Sequence, residues 1–106
     1  MEMQEYTSEK LREHYFGFTH KSGLRVYVFP KKMSTSYALF ATRYGSLENS
    51  FKLATDAEFT TVPEGIAHFL EHKMFEDQDG DAFAKFAKTG ANANAFTAFD
   101  RTCYLF

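Results

Sequence analysis

One cysteine in 106 residues rules out an intrachain disulfide framework and fits a reducing compartment. No apolar run approaches the roughly 18 residues that a membrane-spanning helix needs. Neither sign of charge dominates: twelve Lys and Arg stand against fourteen Asp and Glu, a formal net charge of −2. That removes the electrostatic footprint of a nucleic-acid binder or of a protein held on an anionic membrane. The first ten residues are acidic and polar, which is wrong for a secretory signal. There is no internal repeat and no low-complexity tract. These absences predict a cytoplasmic globular chain of one domain at most, with neither membrane nor nucleic acid among its partners.

Aromatic residues are plentiful. Thirteen Phe and six Tyr could supply a substantial core despite the short length, since each ring buries a large apolar area.

The chemistry is concentrated in His68-Phe69-Leu70-Glu71-His72. On an α-helix, at about 100° and 1.5 Å per residue, His68 and His72 lie one turn apart on one face. Glu71 falls roughly 60° to one side of His68 and His72 roughly 40° to the other, so the three share a face. Two imidazoles so placed can reach one zinc ion at about 2.0–2.1 Å. Glu71 is then close enough to take a proton from a water held there. This is the H-x-x-E-H pattern, the inverse of the H-E-x-x-H zinc helix. Thr61-Val62-Pro63-Glu64 reads as a capping box, which predicts a helix starting at Thr61. On that helix Ile66, Ala67, Leu70 and Met74 form the stripe expected to face the core, and Phe75 lies on the motif side, where it keeps that face partly dry. The bland alternative is a pair of structural histidines flanking a glutamate.

Around this helix the pattern predicts mostly strands. Residues 1–7 read as a loose arm, and Ser8 as the cap of a short helical turn, followed by His14 at the surface. Residues 15–20 and 24–29 form a hairpin about Lys21-Ser22-Gly23. Residues 37–44 are apolar on both sides, which predicts a central strand covered on both faces. Residues 46–60 show no period and read as a long loop. Asp77-Gln78-Asp79-Gly80 reads as a loop, and Asp81 as the cap of a helix over 82–89 with Phe83, Phe86 and Ala87 on one face and Gly90 after it. Residues 92–99 alternate as a strand, and residues 102–106 begin its partner. The last element is an apolar strand with no cap or polar tail, so the expectation is that the chain is the N-terminal portion of a longer protein. The fold class that results is α+β, an antiparallel sheet with two helices packed on one face.

Catalytic zinc takes three protein ligands and keeps one position open for water. The helix supplies two. Glu76, Asp77, Glu64, Cys103, His14 and His20 are the candidates within the chain for the third, and none has convincing spacing. A third ligand beyond Phe106 is expected, with weak zinc binding by the chain alone.

Residues 63–76, with the two histidines and Glu71 at their centre, resemble the zinc-helix region of the insulinase/pitrilysin family of metallopeptidases. Gly90-Ala91-Asn92-Ala93-Asn94-Ala95-Phe96-Thr97-Ala98 resembles that family's next strand, with its G…NA-aromatic-T pattern. Thr102-Cys103-Tyr104 fits the strand after it, and Gly23-Leu24-Arg25-Val26 the first hairpin. Within the family the likeness is to the processing-peptidase-like zinc proteases of Gram-positive bacteria. The resemblance implies a zinc-dependent endopeptidase in which His68 and His72 bind Zn2+ and Glu71 is the general base. It implies that Asn94 and Ala95 hold a peptide substrate by strand addition. It also implies a glutamate ligand on a later helix, and a chamber closed by further domains of the chain or by a paired subunit. Two other readings share the motif. One is a non-catalytic partner or scaffold subunit of the same fold. The other is a zinc-dependent S-ribosylhomocysteine lyase, whose third ligand resembles Cys and for which Cys103 is the candidate.

Overall fold

Two units make up the fold, Met1–Ser36 and Tyr37–Phe106. The computed structural model describes residues 2–78 and 80–106. The α+β class and antiparallel pairing are as the sequence predicts, with the strands of the described residues in two three-stranded sheets and two two-stranded ladders.

The first unit is the sheet β1 (Gln4–Ser8), β2 (Glu13–Thr19) and β3 (Arg25–Val28), in that spatial order. The expected hairpin is β2–β3. It turns at Gly23, whose φ of +87° suits a residue without Cβ, and His20 N–H donates to Leu24 O at 2.8 Å to close it. The loose-arm expectation fails for residues 4–7, which pair with β2 from Gln4↔Gly17 to Thr7↔His14. Met1 lies outside the described residues. The segment reads as an arm because Gln4-Glu5-Tyr6-Thr7-Ser8 has no apolar alternation. Its partner is instead fixed by rings: Tyr6 stacks on Tyr15 at 4.8 Å, and Tyr15 on Phe29 at 4.8 Å. After Ser8 comes a turn rather than a helix, with Leu11 N–H donating to Ser8 Oγ and Arg12 at φ +53°. His14 is exposed as expected. Lys31 pairs with Glu13, a solvated edge contact.

The second unit holds β4 (Leu39–Thr42), β5 (Ser50–Phe51), β6 (Thr60–Thr61), α1 (Ile66–Lys73), β7 (Glu76–Asp77), β8 (Gly80–Asp81), α2 (Ala82–Lys88), β9 (Asn94–Thr97) and β10 (Thr102–Leu105). Its main sheet runs β4-β10-β9, so β10 is central and β4 is an edge. This overturns the expectation of a central strand over 37–44. Leu39 and Phe40 are both exposed, at 52% and 45%. An apolar run reports hydrophobicity, not the number of neighbours a strand has. Residues 46–60 are more ordered than a bare loop: Ser50 pairs with Thr61 and Phe51 with Thr60.

That pairing explains the second correction. Thr61 is in β6 and caps nothing. The helix starts at Ile66, behind Gly65 at φ +89°, with no side-chain cap. Phe69 N–H donates to Gly65 O at 2.9 Å, the first helical bond. A strand contact to Ser50, remote in sequence, outcompetes a local capping signal. At eight residues α1 is too short to be stable alone and depends on packing. It packs on β9 and β10. The buried stripe is Ala67, Glu71 and Phe75, spaced four apart. Leu70 and Met74, predicted to face the core, are exposed at 44% and 62%. Glu71 therefore lies on the packed side of the helix.

Phe75 stacks on Phe83 of α2 at 4.5 Å and meets Tyr104 of β10 at 5.9 Å. Asp81 caps α2 as predicted, its Oδ1 accepting from Phe83 N–H at 2.8 Å. The expected loop at 77–80 is the tight β7–β8 ladder, although Asp79 lies outside the described residues. A Lys85–Asp77 ion pair braces it and, with the Gln78 N–H, holds the Asp77 carboxyl below its usual range. The wide aromatic core is not realised. The buried apolar set among the described residues is Ala67, Phe75 and Cys103, while rings such as Phe59 and Phe99 stay exposed. Split over two units, the chain has few places where a ring is enclosed on every side.

The tip of the β9–β10 hairpin is clasped by the segment after β4. Ser46 N–H donates to Ala98 O at 2.9 Å and Leu47 N–H to Phe99 O at 3.0 Å. Gly45 makes that approach possible, since a Cβ there would stand 2.5 Å from the backbone of Ala98 and Phe99.

Candidate active site

α1 brings His68, Glu71 and His72 together, and β9 meets Glu71 through Thr97. The Nε2 atoms of His68 and His72 are 3.1 Å apart, the rings nearly edge-on at 4.6 Å between centroids. Two nitrogens at about 2.0–2.1 Å from a shared tetrahedral ion stand about 3.3 Å apart, so the pair fits a common metal. The His68 side chain is 64% exposed, which leaves the nitrogens open to solvent. Glu71 is the opposite, 7% exposed and tucked against the sheet. Its Oε2 is 3.5 Å from His68 Nδ1 and accepts a 2.6 Å hydrogen bond from Thr97 Oγ1 on β9. A buried carboxylate without partners would be costly, and here a hydroxyl supplies one. The Tyr104 phenol stands above its usual pKa near 10, pushed up by burial and then by the Glu71 charge. The neutral phenol is thus the form the fold favours, and its contribution to stability is lost as pH rises through that raised value.

No group of three or more His, Cys, Asp or Glu side chains placed to hold a metal occurs among the described residues. The candidates for the third ligand are accounted for. Glu76 pairs with Lys73, Asp77 with Lys85, and Glu64 is exposed ahead of the helix. Cys103 is buried at 3% in β10, opposite Phe96, and does not join the histidines in a cluster. His14 and His20 belong to the first unit.

Among the described residues β9 pairs with β10 alone, from Asn94↔Leu105 to Thr97↔Thr102, and so offers a free edge. The hairpin fixes its phase. Ala98 N–H donates to Arg101 O at 2.8 Å, and alternate residues back along the strand, Phe96 and Asn94, also point their amides inward. Ala95 and Thr97 point theirs out along the edge. The Ala95 N–H is met there by Asn94 Oδ1 at 2.9 Å. Side chains alternate as predicted: Ala95 and Thr97 are half-buried, Asn94 and Phe96 exposed. The sequence alone does not single out Thr97 as a site residue. The T of the G…NA-aromatic-T pattern was the available signal, but nothing local says that its hydroxyl meets a carboxylate 26 residues earlier.

The site is thus a helix with two metal-spaced imidazoles and a buried glutamate, set against the strand β9. Residues 59–106 match the family model described as Insulinase (Peptidase family M16). The uncharacterized zinc protease YmfH of Bacillus subtilis is 54% identical over 99 residues, which is 92% of this chain and 23% of that protein. AlbF of the same species, also named a zinc protease, is 40% identical over 47 residues, 44% of this chain and 11% of its own length. These matches support a place for the chain in the insulinase family of peptidases. It spans about a quarter or less of the length of these relatives. No solved structure matches it.

Proposed function

We propose that this chain carries the two-histidine, one-glutamate half of the active site of a zinc-dependent endopeptidase. The observation that carries this reading is the 3.1 Å separation of the His68 and His72 Nε2 atoms, one helical turn apart, with Glu71 beside them. His68 and His72 would hold the zinc. The ion, when bound, polarises a carbonyl and makes a water acidic enough to ionise near neutral pH. Glu71 accepts the proton of the attacking water and returns it to the leaving amine, so the peptide bond is cut without a covalent enzyme intermediate. The substrate strand adds to β9 through the outward backbone groups of Ala95 and Thr97. For the Ala95 N–H to bond a substrate carbonyl, Asn94 Oδ1 must release it, which gives Asn94 a role in substrate binding. The name zinc protease carried by YmfH and AlbF supports the same reading.

Further parts of this reading concern partners. The exposed face of α1, with Phe69, Leu70 and Met74, suits cover by further domains of the same protein or by a paired subunit that closes a chamber. A third ligand, a glutamate, comes from one of these. The location proposed is cytoplasmic, with a buried thiol at Cys103 and no helix among the described residues long and apolar enough to cross a membrane.

Zinc affinity tests the division of the site. The 106-residue chain alone should lose zinc on dialysis, one ligand short of a complete set. The protein of the complete native reading frame should keep one equivalent, and a chelator should end its hydrolysis of an unstructured peptide until zinc is restored. A full equivalent held tightly by the isolated chain would sink the idea of an outside ligand.

Strand addition is tested at Ala95. Proline there removes the edge N–H and leaves the helix untouched. Peptide binding to the complete, zinc-loaded protein in a Glu71→Gln background should weaken by about tenfold, the worth of one hydrogen bond of roughly 1–1.5 kcal/mol. Unchanged affinity in a folded Ala95→Pro protein would return Asn94 and Ala95 to a structural role.

A further inference from the structure

We propose that Thr97 is a positioning residue for the base: its hydroxyl fixes the Glu71 carboxylate and so links the strand that receives substrate to the group that moves the proton. The proposal rests on the reading of Glu71 as general base. Among the described residues, Thr97 Oγ1 is the hydroxyl bonded to Glu71, and 2.6 Å lies within the range of an O–H donating to a carboxylate. The contact ties β9 to α1 across 26 residues of sequence. A glutamate side chain turns about three bonds, and within α1 the Glu71 carboxylate meets His68 Nδ1 at 3.5 Å, a looser contact than the 2.6 Å to Thr97 Oγ1. Ala67 and Phe75, four residues before and after it, are buried but apolar and give the carboxylate no direction. The Thr97 bond occupies Oε2 and leaves Oε1 to receive the proton. Thr97 also lies on the face of β9 that it shares with Ala95, and its own backbone groups point out along the edge. A peptide added to that edge would therefore clamp the residue that orients the base.

The test uses the protein of the complete native reading frame, zinc-loaded, with wild type, Thr97→Val, Thr97→Ser and Glu71→Gln compared on an internally quenched unstructured peptide. A catalytic group misplaced by about 1 Å can lose on the order of 10²-fold in rate. Thr97→Val should thus lower kcat by about 10- to 100-fold, with KM within about twofold and zinc content unchanged. Thr97→Ser should restore most of the rate. A second reading needs neither metal nor activity: in the zinc-free protein the Thr97 hydroxyl proton should exchange slowly enough to give its own magnetic resonance, and Glu71→Ala should remove it. A Thr97→Val enzyme at wild-type kcat, beside an inactive Glu71→Gln, overturns the positioning role and leaves Glu71 as base. So does equal loss in Thr97→Val and Thr97→Ser together with lost zinc or a lower melting temperature, which marks a packing role. An active Glu71→Gln overturns the underlying reading and this proposal with it.

Discussion

Glu71→Gln in the complete protein should abolish measurable peptide hydrolysis while zinc stays bound. A positioned general base contributes about 10²–10⁴-fold, and each decade is about 1.4 kcal/mol of barrier. The substitution is close to isosteric, and the amide oxygen can still accept from Thr97 Oγ1, now 2.6 Å from the carboxylate. Folding should therefore survive: a buried charge is replaced by a buried neutral group that keeps its hydrogen bond. What is lost is the ability to accept the proton at pH 7. The histidine nitrogens stay one turn apart on the same helix, so metal analysis should give the wild-type content. Turnover near wild type, measured after removal of any co-purifying protease, would remove Glu71 from the chemistry.

The second large effect concerns stability. Gly45→Ala should lower the melting temperature by about 10 °C or more. The added Cβ would stand 2.5 Å from Ala98 O and from the Phe99 carbonyl, all backbone atoms that no rotamer change can move aside. Overpacking of this kind costs about 1–3 kcal/mol. The two clasping bonds, from Ser46 and Leu47 to the hairpin tip, add about 1 kcal/mol each if the segments part. One kcal/mol is worth roughly 4–8 °C in a domain of this size. Gly65→Ala is the comparison: its φ of +89° is strained for alanine, but the space around it is open, so the loss should be about 1 kcal/mol. Equal melting temperatures for the two variants, followed by circular dichroism, would show that the hairpin tip yields freely.

The legible parts of the sequence were those whose signal is local. His68, Glu71 and His72 declare themselves by spacing alone, because a helix turns that spacing into a shared face. Asp81 is followed by its helix, and Gly23 by its turn. The alternation of Asn94 to Thr97 gave the right two faces of β9. The unreadable parts depend on partners far away in the chain. Thr61 looks like a cap until Ser50 pairs with it. Residues 37–44 look central until β10 proves to have the neighbours on both sides. Glu71 belongs to the motif by sequence, but its burial is decided by where β9 and β10 lie. The contact of Thr97 with Glu71 is of the same kind: both residues are visible, and nothing between them says they meet.

The bond from Ala95 N–H to Asn94 Oδ1 has a bearing on what the protein does at high concentration without substrate. A bare strand edge is a template on which a second copy can zip and grow into larger aggregates. With Asn94 folded back on its neighbour, the resting edge of β9 shows one amide fewer to such a copy. An incoming chain must first displace a bond already made within the strand, a small toll on every approach. Two copies stacking edge to edge would meet it on both edges. The same side chain thus leaves a sticky edge with one open donor fewer.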